Sequence, residues 1–193
     1  MNQKINIKVI AGSTREGRFS DKVAKWINTE LSKNEEVLAE ILDLRDYEMP
    51  FFNEAVSPSS KKEPYKNEAV ARFTKKVEEA DAYIVITPEY NHGTSAVLKN
   101  AFDWLSPEWK NKPIAFVSYG VVGGARAIEQ LRLTAIALQM APIRDSININ
   151  GEQYFPVAMG NGDFANLFLK YEDKAKNMIS QLLWWAHALK NAR

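Results

Sequence analysis

Residues 87–105, TPEYNHGTSAVLKNAFDWL, decide the fold because a strand, a turn and a helix meet there. The run 83–86 just before them is short, apolar and mostly β-branched, which is typical of a buried strand. After the turn, Val97, Ala101 and Trp104 recur at helical spacing. Ligands of open α/β sheets bind beyond the carboxyl ends of the strands, so this turn is a candidate site.

The same alternation of strand and helix extends over the whole chain. Apolar runs predict strands at Ile5 to Ala11, 37–44, 82–86, 113–118 and 143–149, the last followed by a polar loop. Helical spacing predicts four helices between them, the first with Ser20 as its N-cap, and a long amphipathic helix from about Phe164. Alternating elements favour parallel pairing with right-handed crossovers. We therefore predict one domain over residues 1–193, an α/β three-layer doubly wound sandwich with a flavodoxin-like five-stranded parallel sheet of order 2-1-3-4-5.

Composition excludes several classes of function. The 25 basic and 24 acidic residues leave a net charge of +1, so no broad surface for nucleic acid is expected. The chain has no cysteine, which excludes disulfides and thiol catalysis, and its two histidines argue against a zinc site. No run reaches the ~20 apolar residues of a membrane span. With no secretory signal at the amino terminus, a cytoplasmic protein is expected.

The loop after the first strand, residues 12–20, has the chemistry of an anion site. It opens a helix, whose first backbone N–H groups carry partial positive charge. Its hydroxyls and the guanidinium groups of Arg15 and Arg18 can add charge-assisted hydrogen bonds to a phosphate. Asp21 in the first helical turn would repel a phosphate, so its side chain should point away.

Other interpretations of this loop are a Walker A loop, a dinucleotide fingerprint or an ordinary solvated connection with a serine cap. Gly12 and Gly17 have the Walker A spacing, but Arg18-Phe19 stands where that motif needs Lys and then Ser or Thr. The pattern G-x-G-x-x-G is absent. The solvated loop stays open as an alternative.

Two further turns follow the third and fourth predicted strands. Asn91-His92-Gly93 has turn chemistry of its own, and His92 is more typical of a hydrogen-bonded turn residue than of a catalyst. The turn 119–124 is rich in glycine, either for close packing of strand against helix or to let a flat ring approach the backbone. Three such loops at successive strand ends would surround one elongated, aromatic ligand that carries a phosphate.

Three segments together resemble the NADPH-dependent FMN reductase family, which includes quinone, azo-dye and chromate reductases. They are GSTREGR at 12–18, TPEYNHG with AVLKNAFDWL at 87–105, and SYGVVGGARA at 118–127. The resemblance covers nearly the whole chain in the same order. One departure is Thr94-Ser95, where relatives often have an aromatic residue and Pro, so the shape of the substrate face is open.

The resemblance implies an FMN site, and because a flavin carries the redox chemistry, no catalytic side chain is expected. The phosphate would be held by Ser13, Arg15, Arg18 and Ser20, with Phe19 among the cofactor-binding residues. One side of the isoalloxazine would lie along Pro88, Glu89, Tyr90, Asn91, His92 and Gly93, and its other side would be lined by Ser118, Gly120, Gly123 and Gly124.

The resemblance also implies an oxidoreductase that passes a hydride from NADPH, or NADH, through FMN to a quinone, azo compound, free flavin or similar acceptor. It implies a homodimer or homotetramer, while the near-neutral charge and the lack of a long apolar run predict that neither nucleic acid nor membrane is a partner. An FMN-binding redox sensor or electron carrier is the alternative, although a carrier favours a strongly charged docking face. The sequence leaves open the physiological acceptor, the preference between NADPH and NADH, the size of the oligomer and the role of the loop 45–66.

Overall fold

The computed structural model, which describes residues 4–193, is built on a sheet of five parallel strands. They are β1 (Ile5–Ala11), β2 (Val37–Asp43), β3 (Ala82–Pro88), β4 (Pro113–Gly120) and β5 (Ala141–Asn150). Their order across the sheet is β2-β1-β3-β4-β5, as predicted. β3 and β4 are buried along their whole length, as expected for parallel strands covered by helices on both faces.

Seven α-helices in residues 4–193 accompany the sheet. They are α1 (Ser20–Ser32), α2 (Glu68–Glu78), α3 (Ala96–Trp104), α4 (Ala125–Ala137), α5 (Gly151–Ala158), α6 (Phe164–Leu169) and α7 (Glu172–Ala192). One apolar core joins the sheet to α1, α5, α6 and α7, and a second core joins its other face to α2, α3 and α4. These two cores confirm the three-layer sandwich. None of the helices between residues 4 and 193 combines the length and apolar character needed to cross a membrane.

The structure corrects the sequence prediction in two regions. The segment after β5 is the helix α5 and not a polar loop, and the predicted long helix from about Phe164 is divided into α6 and α7. Gly151, Pro156 and Gly160 indicate a loop, but tertiary packing is stronger than these local signals. The Tyr154 ring stacks on Phe19 with 5.1 Å between the ring centroids.

The amino-terminal end of α1 also differs from the prediction. Ser20 is the first residue inside the helix, and Phe19 stands in the N-cap position without a side-chain hydrogen bond. The prediction of Ser20 as the N-cap is therefore wrong by one residue. The Ser20 hydroxyl therefore does not cap the amino-terminal end of α1.

The strand register brings the candidate loops to one edge of the sheet. Ala11 at the end of β1 lies beside both Ile86 in β3 and Asp43 in β2. Pro88 at the end of β3 lies beside Tyr119 in β4. The carboxyl ends of β1, β3 and β4 are therefore neighbours, and the loops that follow them border one region.

The loop of residues 45–66 is fastened to α3. The carbonyl of Pro50 accepts hydrogen bonds from Asn100 Nδ2 at 2.9 Å and from Trp104 Nε1 at 2.7 Å. The Phe52 N–H donates to Asn100 Oδ1 at 2.9 Å, and the Tyr65 hydroxyl donates to the Trp104 carbonyl. The loop is thus held to one face of α3 near both of its ends, at Pro50 to Phe52 and at Tyr65.

Candidate functional site

The loop after β1 turns tightly over the end of β3. The Gly12 N–H donates to the Ile86 carbonyl at 2.8 Å, and the Ser95 hydroxyl donates to the Gly12 carbonyl. A Cβ on Gly12 would lie 2.6 Å from the Ile86 oxygen, so this close approach requires glycine. The first loop is consequently anchored to the segment that carries the second.

Ser13, Arg15 and Ser20 lie around the start of α1. The Ser13 hydroxyl is 3.0 Å from the Tyr90 hydroxyl, and the Arg15 guanidinium lies 5.6 Å from the centre of the Tyr90 ring. Ser20 is fully buried next to the Tyr119 hydroxyl, yet its Oγ makes no hydrogen bond of good geometry with the described residues. A buried hydroxyl without a partner is costly unless a ligand or water satisfies it, so its position is that of a binding group.

Arg18 has a different environment from Arg15. Its buried guanidinium donates to Asp21, to Asp43 at the end of β2, and to the Ser13 carbonyl. Asp21 also lies 3.3 Å from Arg45, so its carboxylate is turned toward two arginines. This arrangement makes Arg18 a support for the shape of the loop, and its guanidinium is already engaged by carboxylates.

The charge of Asp43 is central to that support. Although burial raises its pKa, the hydrogen bonds and charges of Arg45 and Arg18 outweigh burial and lower the pKa of Asp43 to about 2. A carboxylate with a lowered pKa stabilises the fold above its ordinary pKa of 3.8, and this stabilisation is lost as pH falls through the lowered value.

Replacing Asp43 by asparagine is expected to lower the free energy of unfolding by about 1–2 kcal/mol at neutral pH. The difference from the unsubstituted protein should shrink below about pH 4 and nearly vanish near pH 2, because the wild-type carboxylate then becomes protonated. Urea unfolding from about pH 7 to about pH 2 measures it. A difference that is constant over this range would contradict the electrostatic role.

The second loop is a two-residue turn. The Tyr90 N–H donates to the Gly93 carbonyl at 2.9 Å, and the Gly93 N–H donates back to the Tyr90 carbonyl at 3.0 Å. Asn91 and His92 both have positive φ, 50° and 69°, as the central residues of a type I′ turn do. Asparagine tolerates this conformation better than histidine, so the turn carries some backbone strain at His92.

The third loop joins β4 to α4 through glycines that the geometry requires. Gly123 and Gly124 have φ of 71° and 74°. A Cβ on Gly124 would lie 2.5 Å from Ser118 Cβ, and one on Gly120 would lie 3.1 Å from Glu89 Cβ. The turn therefore offers backbone without side chains next to the second loop.

Ser118 is fully buried below this turn. Its hydroxyl donates to the Gly123 carbonyl at 2.6 Å and accepts from Asn148 Nδ2 at 3.1 Å. Its polar group is used within the protein to hold the turn. The prediction that Ser118 lines a ligand stays a prediction, and its hydrogen bonds show a structural role.

Glu89 and His92 point to α4. The Glu89 carboxylate, whose side chain is 6% exposed, accepts from Arg126 Nε at 2.8 Å and from the Arg126 backbone N–H at 3.1 Å. Arg126 Nη1 is 2.8 Å from His92 Nε2, and Gln130 Nε2 donates to the His92 carbonyl at 3.0 Å. The second loop is thereby attached to the helix that follows the third.

Two tyrosines of the candidate site, Tyr119 and Tyr154, were not among the predicted site residues, although Tyr119 begins the third predicted turn. Burial raises the pKa of Tyr119, and the neighbouring Ser20 and Ser13 hydroxyls oppose that shift. Burial also raises the pKa of Tyr154, opposed by the nearby Arg15 guanidinium. Tyr119 ends a strand, so the rule that sites lie at strand ends could have found it. Tyr154 follows β5 by the same rule, but reading its segment as a polar loop concealed it.

The Phe19 side chain makes aromatic contacts and no hydrogen bond in this site. Its ring packs edge-on against Tyr119, with 5.1 Å between the centroids, and stacks on Phe164 at 5.9 Å. Phe19 therefore belongs to the aromatic wall beneath the first loop. The structure brings the three predicted loops together and adds α5 as a fourth element.

Comparisons with known proteins agree with this architecture. The model of the NADPH-dependent FMN reductase family matches residues 5–153. An NAD(P)H-dependent FMN reductase of Schizosaccharomyces pombe is 32% identical over 178 residues, 91% of this chain and 87% of that protein. A quinone reductase of Escherichia coli K12 is 32% identical over 146 residues, 72% of this chain and 73% of that protein.

A solved structure of similar fold comes from Paracoccus denitrificans and is described as a flavoenzyme NAD(P)H:(acceptor) oxidoreductase. It superposes with a TM-score of 0.67 at 23% identity, over 92% of this chain and 97% of that one. This likeness shows the shared fold, and the family match covers most of the chain. The chain therefore belongs to the NADPH-dependent FMN reductase family.

Proposed function

We propose that the three loops and α5 bind FMN, and that the protein uses it to reduce a small acceptor such as a quinone at the expense of NADPH or NADH. The observation that carries the proposal is the buried Ser20 hydroxyl at the start of α1, which makes no well-formed hydrogen bond within the described residues and lies in the same loop region as the exposed Arg15. When bound, FMN supplies the redox chemistry by accepting a hydride and passing two electrons on.

The first loop fits the phosphate of FMN. The backbone N–H groups at the start of α1 favour an anion, and the hydroxyls of Ser13 and Ser20 can donate to its oxygens. Arg15 carries an exposed guanidinium that no carboxylate among the described residues engages. Arg18 then acts on the phosphate site indirectly, through the loop that it holds.

The second and third loops fit a flat ring. The second presents the backbone of a turn whose side chains Glu89 and His92 are drawn toward α4. The third presents Gly120, Gly123 and Gly124, which leave room for close approach to the backbone. Backbone N–H groups at such positions stabilise negative charge on a bound ring. We propose no side chain as an acid or base.

Three measurements on the purified protein test the activity. It should bind FMN, lose the yellow flavin colour anaerobically on addition of NADPH or NADH, and oxidise that coenzyme steadily when a quinone is supplied. Comparing the two coenzymes shows which is preferred. FMN binding without acceptor-dependent turnover would instead support the redox sensor or electron carrier, and absence of FMN binding would refute both.

Replacing Arg15 by alanine is expected to weaken FMN binding by about tenfold to a hundredfold, because a hydrogen bond to a charged group is lost. Fluorescence titration of the apo-protein with FMN measures the change. Lys25→Ala, on the exposed side of α1, removes the same charge away from the loop and should leave the affinity unchanged. Equal effects of the two substitutions would show a general charge effect and not a contact.

The proposal includes self-association as a homodimer or homotetramer. Leu133 and Ile136 on α4 leave 70% and 61% of their surfaces exposed, which makes this helix face a candidate contact. Light scattering after size-exclusion chromatography measures the mass. A monomer at all accessible concentrations would contradict this part of the proposal.

A further inference from the structure

The turn at Asn91 and His92 needs support from outside itself. Both residues are left-handed, and histidine lacks the conformational freedom of glycine in this region. The two hydrogen bonds between Tyr90 and Gly93 close the turn but fix neither its tilt nor the direction of its backbone. Whatever sets that direction determines how the turn faces a bound ring.

Arg126 supplies this support by touching the turn on both sides. Its Nε donates to Glu89 at the beginning of the turn, and its Nη1 contacts the His92 ring near the end. A planar guanidinium can make both contacts at fixed geometry, whereas an ammonium group cannot reproduce that fork. The Glu89 carboxylate also accepts from the first turn of α4, where negative charge is favourable.

The same arginine connects two loops of the site. Arg126 lies two residues after Gly124, so it is fixed to the helix that the glycine turn opens. It reaches across to the loop after β3, and Gln130 one turn later adds a bond to the His92 carbonyl. The spacing between the second and third loops is thus set through α4.

We infer that Arg126 is a positioning residue, which holds Glu89 and His92 so that the second loop presents its backbone to FMN. This inference rests on the proposed function. It assigns to His92 a role through its conformation and not through proton transfer. It also explains why a charged side chain that is 42% exposed stands at the edge of the site with its guanidinium engaged by Glu89 and His92.

The test is a double-mutant cycle of Arg126→Lys and His92→Gly, with Arg144→Lys, an exposed arginine in β5, as the matched control. Lysine keeps a positive charge beside Glu89 but loses the second contact. Arg126→Lys should raise the dissociation constant of FMN by about threefold to tenfold and shift the flavin absorption spectrum. The control should do neither.

Glycine at position 92 adopts positive φ without support, so it should largely remove the effect of the lysine substitution. In the His92→Gly background, Arg126→Lys is therefore expected to change FMN affinity by less than about twofold. Equal effects of Arg126→Lys in both backgrounds would overturn the inference. So would an unchanged FMN affinity with a raised KM for NADPH alone, which would make Arg126 a coenzyme ligand.

The two proposals fail in different ways. If the unsubstituted protein binds no FMN, the proposed function is wrong. If it binds FMN and turns over, while Arg126→Lys behaves as the Arg144→Lys control does, the inference about Arg126 is wrong and the proposed function stands.

Discussion

Replacing Gly124 by alanine is expected to lower the free energy of unfolding by about 2–5 kcal/mol and to abolish tight FMN binding. Two costs add here. The left-handed backbone, with φ of 74°, disfavours any residue with a Cβ. That Cβ would also lie 2.5 Å from Ser118 Cβ and 2.7 Å from its Oγ, so Ser118 and the turn it holds must shift.

Gly160→Ala is the matched control for Gly124→Ala. Gly160 has φ of 83°, but a Cβ there would meet nothing within 4 Å. Gly160→Ala should therefore lose only the stability that the left-handed backbone costs, about 1–2 kcal/mol. Denaturant unfolding and FMN titration of both variants separate the two costs. Equal losses of stability would show that the close contact with Ser118 relaxes freely.

Replacing Trp104 by alanine is expected to cost about 3–5 kcal/mol of stability. The indole is 2% exposed, and its ring meets Phe52 and Tyr65 edge-on, with 5.2 and 5.7 Å between the centroids. It also donates to the Pro50 carbonyl, so the substitution releases the loop 45–66 together with opening a cavity. Trypsin should then cut this loop faster, for example after Lys61 or Lys62.

Two further variants assign the effect of Trp104→Ala. Trp104→Phe keeps most of the packing and loses the hydrogen bond, so it should cost about 1–3 kcal/mol. Trp184→Ala removes an indole that is 67% exposed and should change stability by less than about 1 kcal/mol. If Trp104→Ala left the trypsin cleavage rate of the loop unchanged, α3 would not be what fastens it. A lid or a subunit contact is a further hypothesis for the loop 45–66, and limited proteolysis with and without FMN tests it.

Much of the fold could be predicted from the sequence because its strands are short, apolar runs separated by helical periods. Ile5–Ala11 is found with the predicted bounds, and β3 exceeds its predicted range by two residues. Parallel pairing followed from the alternation of elements, and the strand order followed from their number. The apolar runs and helical spacings are local and recur along the chain, so an error in one element does not change the predicted fold.

The missed features depend on contacts between distant residues. Nothing within GEQYFPVA indicates that Tyr154 will stack on Phe19, and Pro156 argues against a helix until that packing is known. Likewise Arg15 and Arg18 are equivalent in the sequence, as two arginines in one loop. In the fold, Arg18 is engaged by Asp21 one turn away and by Asp43, which β2 brings beside it, whereas Arg15 forms no such ion pair within the described residues. Which arginine remains free for an anion therefore depends in part on the strand next to β1.

The hydrogen bonds of Ser95 distinguish residue 94, which a protein engineer could vary, from residue 95, which should be kept. The Ser95 hydroxyl donates to the Gly12 carbonyl and accepts from the Leu98 N–H, so one atom joins the first loop to the start of α3. Within residues 4–193, the side chain of the neighbouring Thr94 makes one hydrogen bond, to the Thr87 hydroxyl at 2.8 Å. A library intended to change acceptor range can therefore sample residue 94 broadly. Proline at residue 95 would remove the hydroxyl and both of its bonds, so changes there would alter the frame of the site and not only its lining.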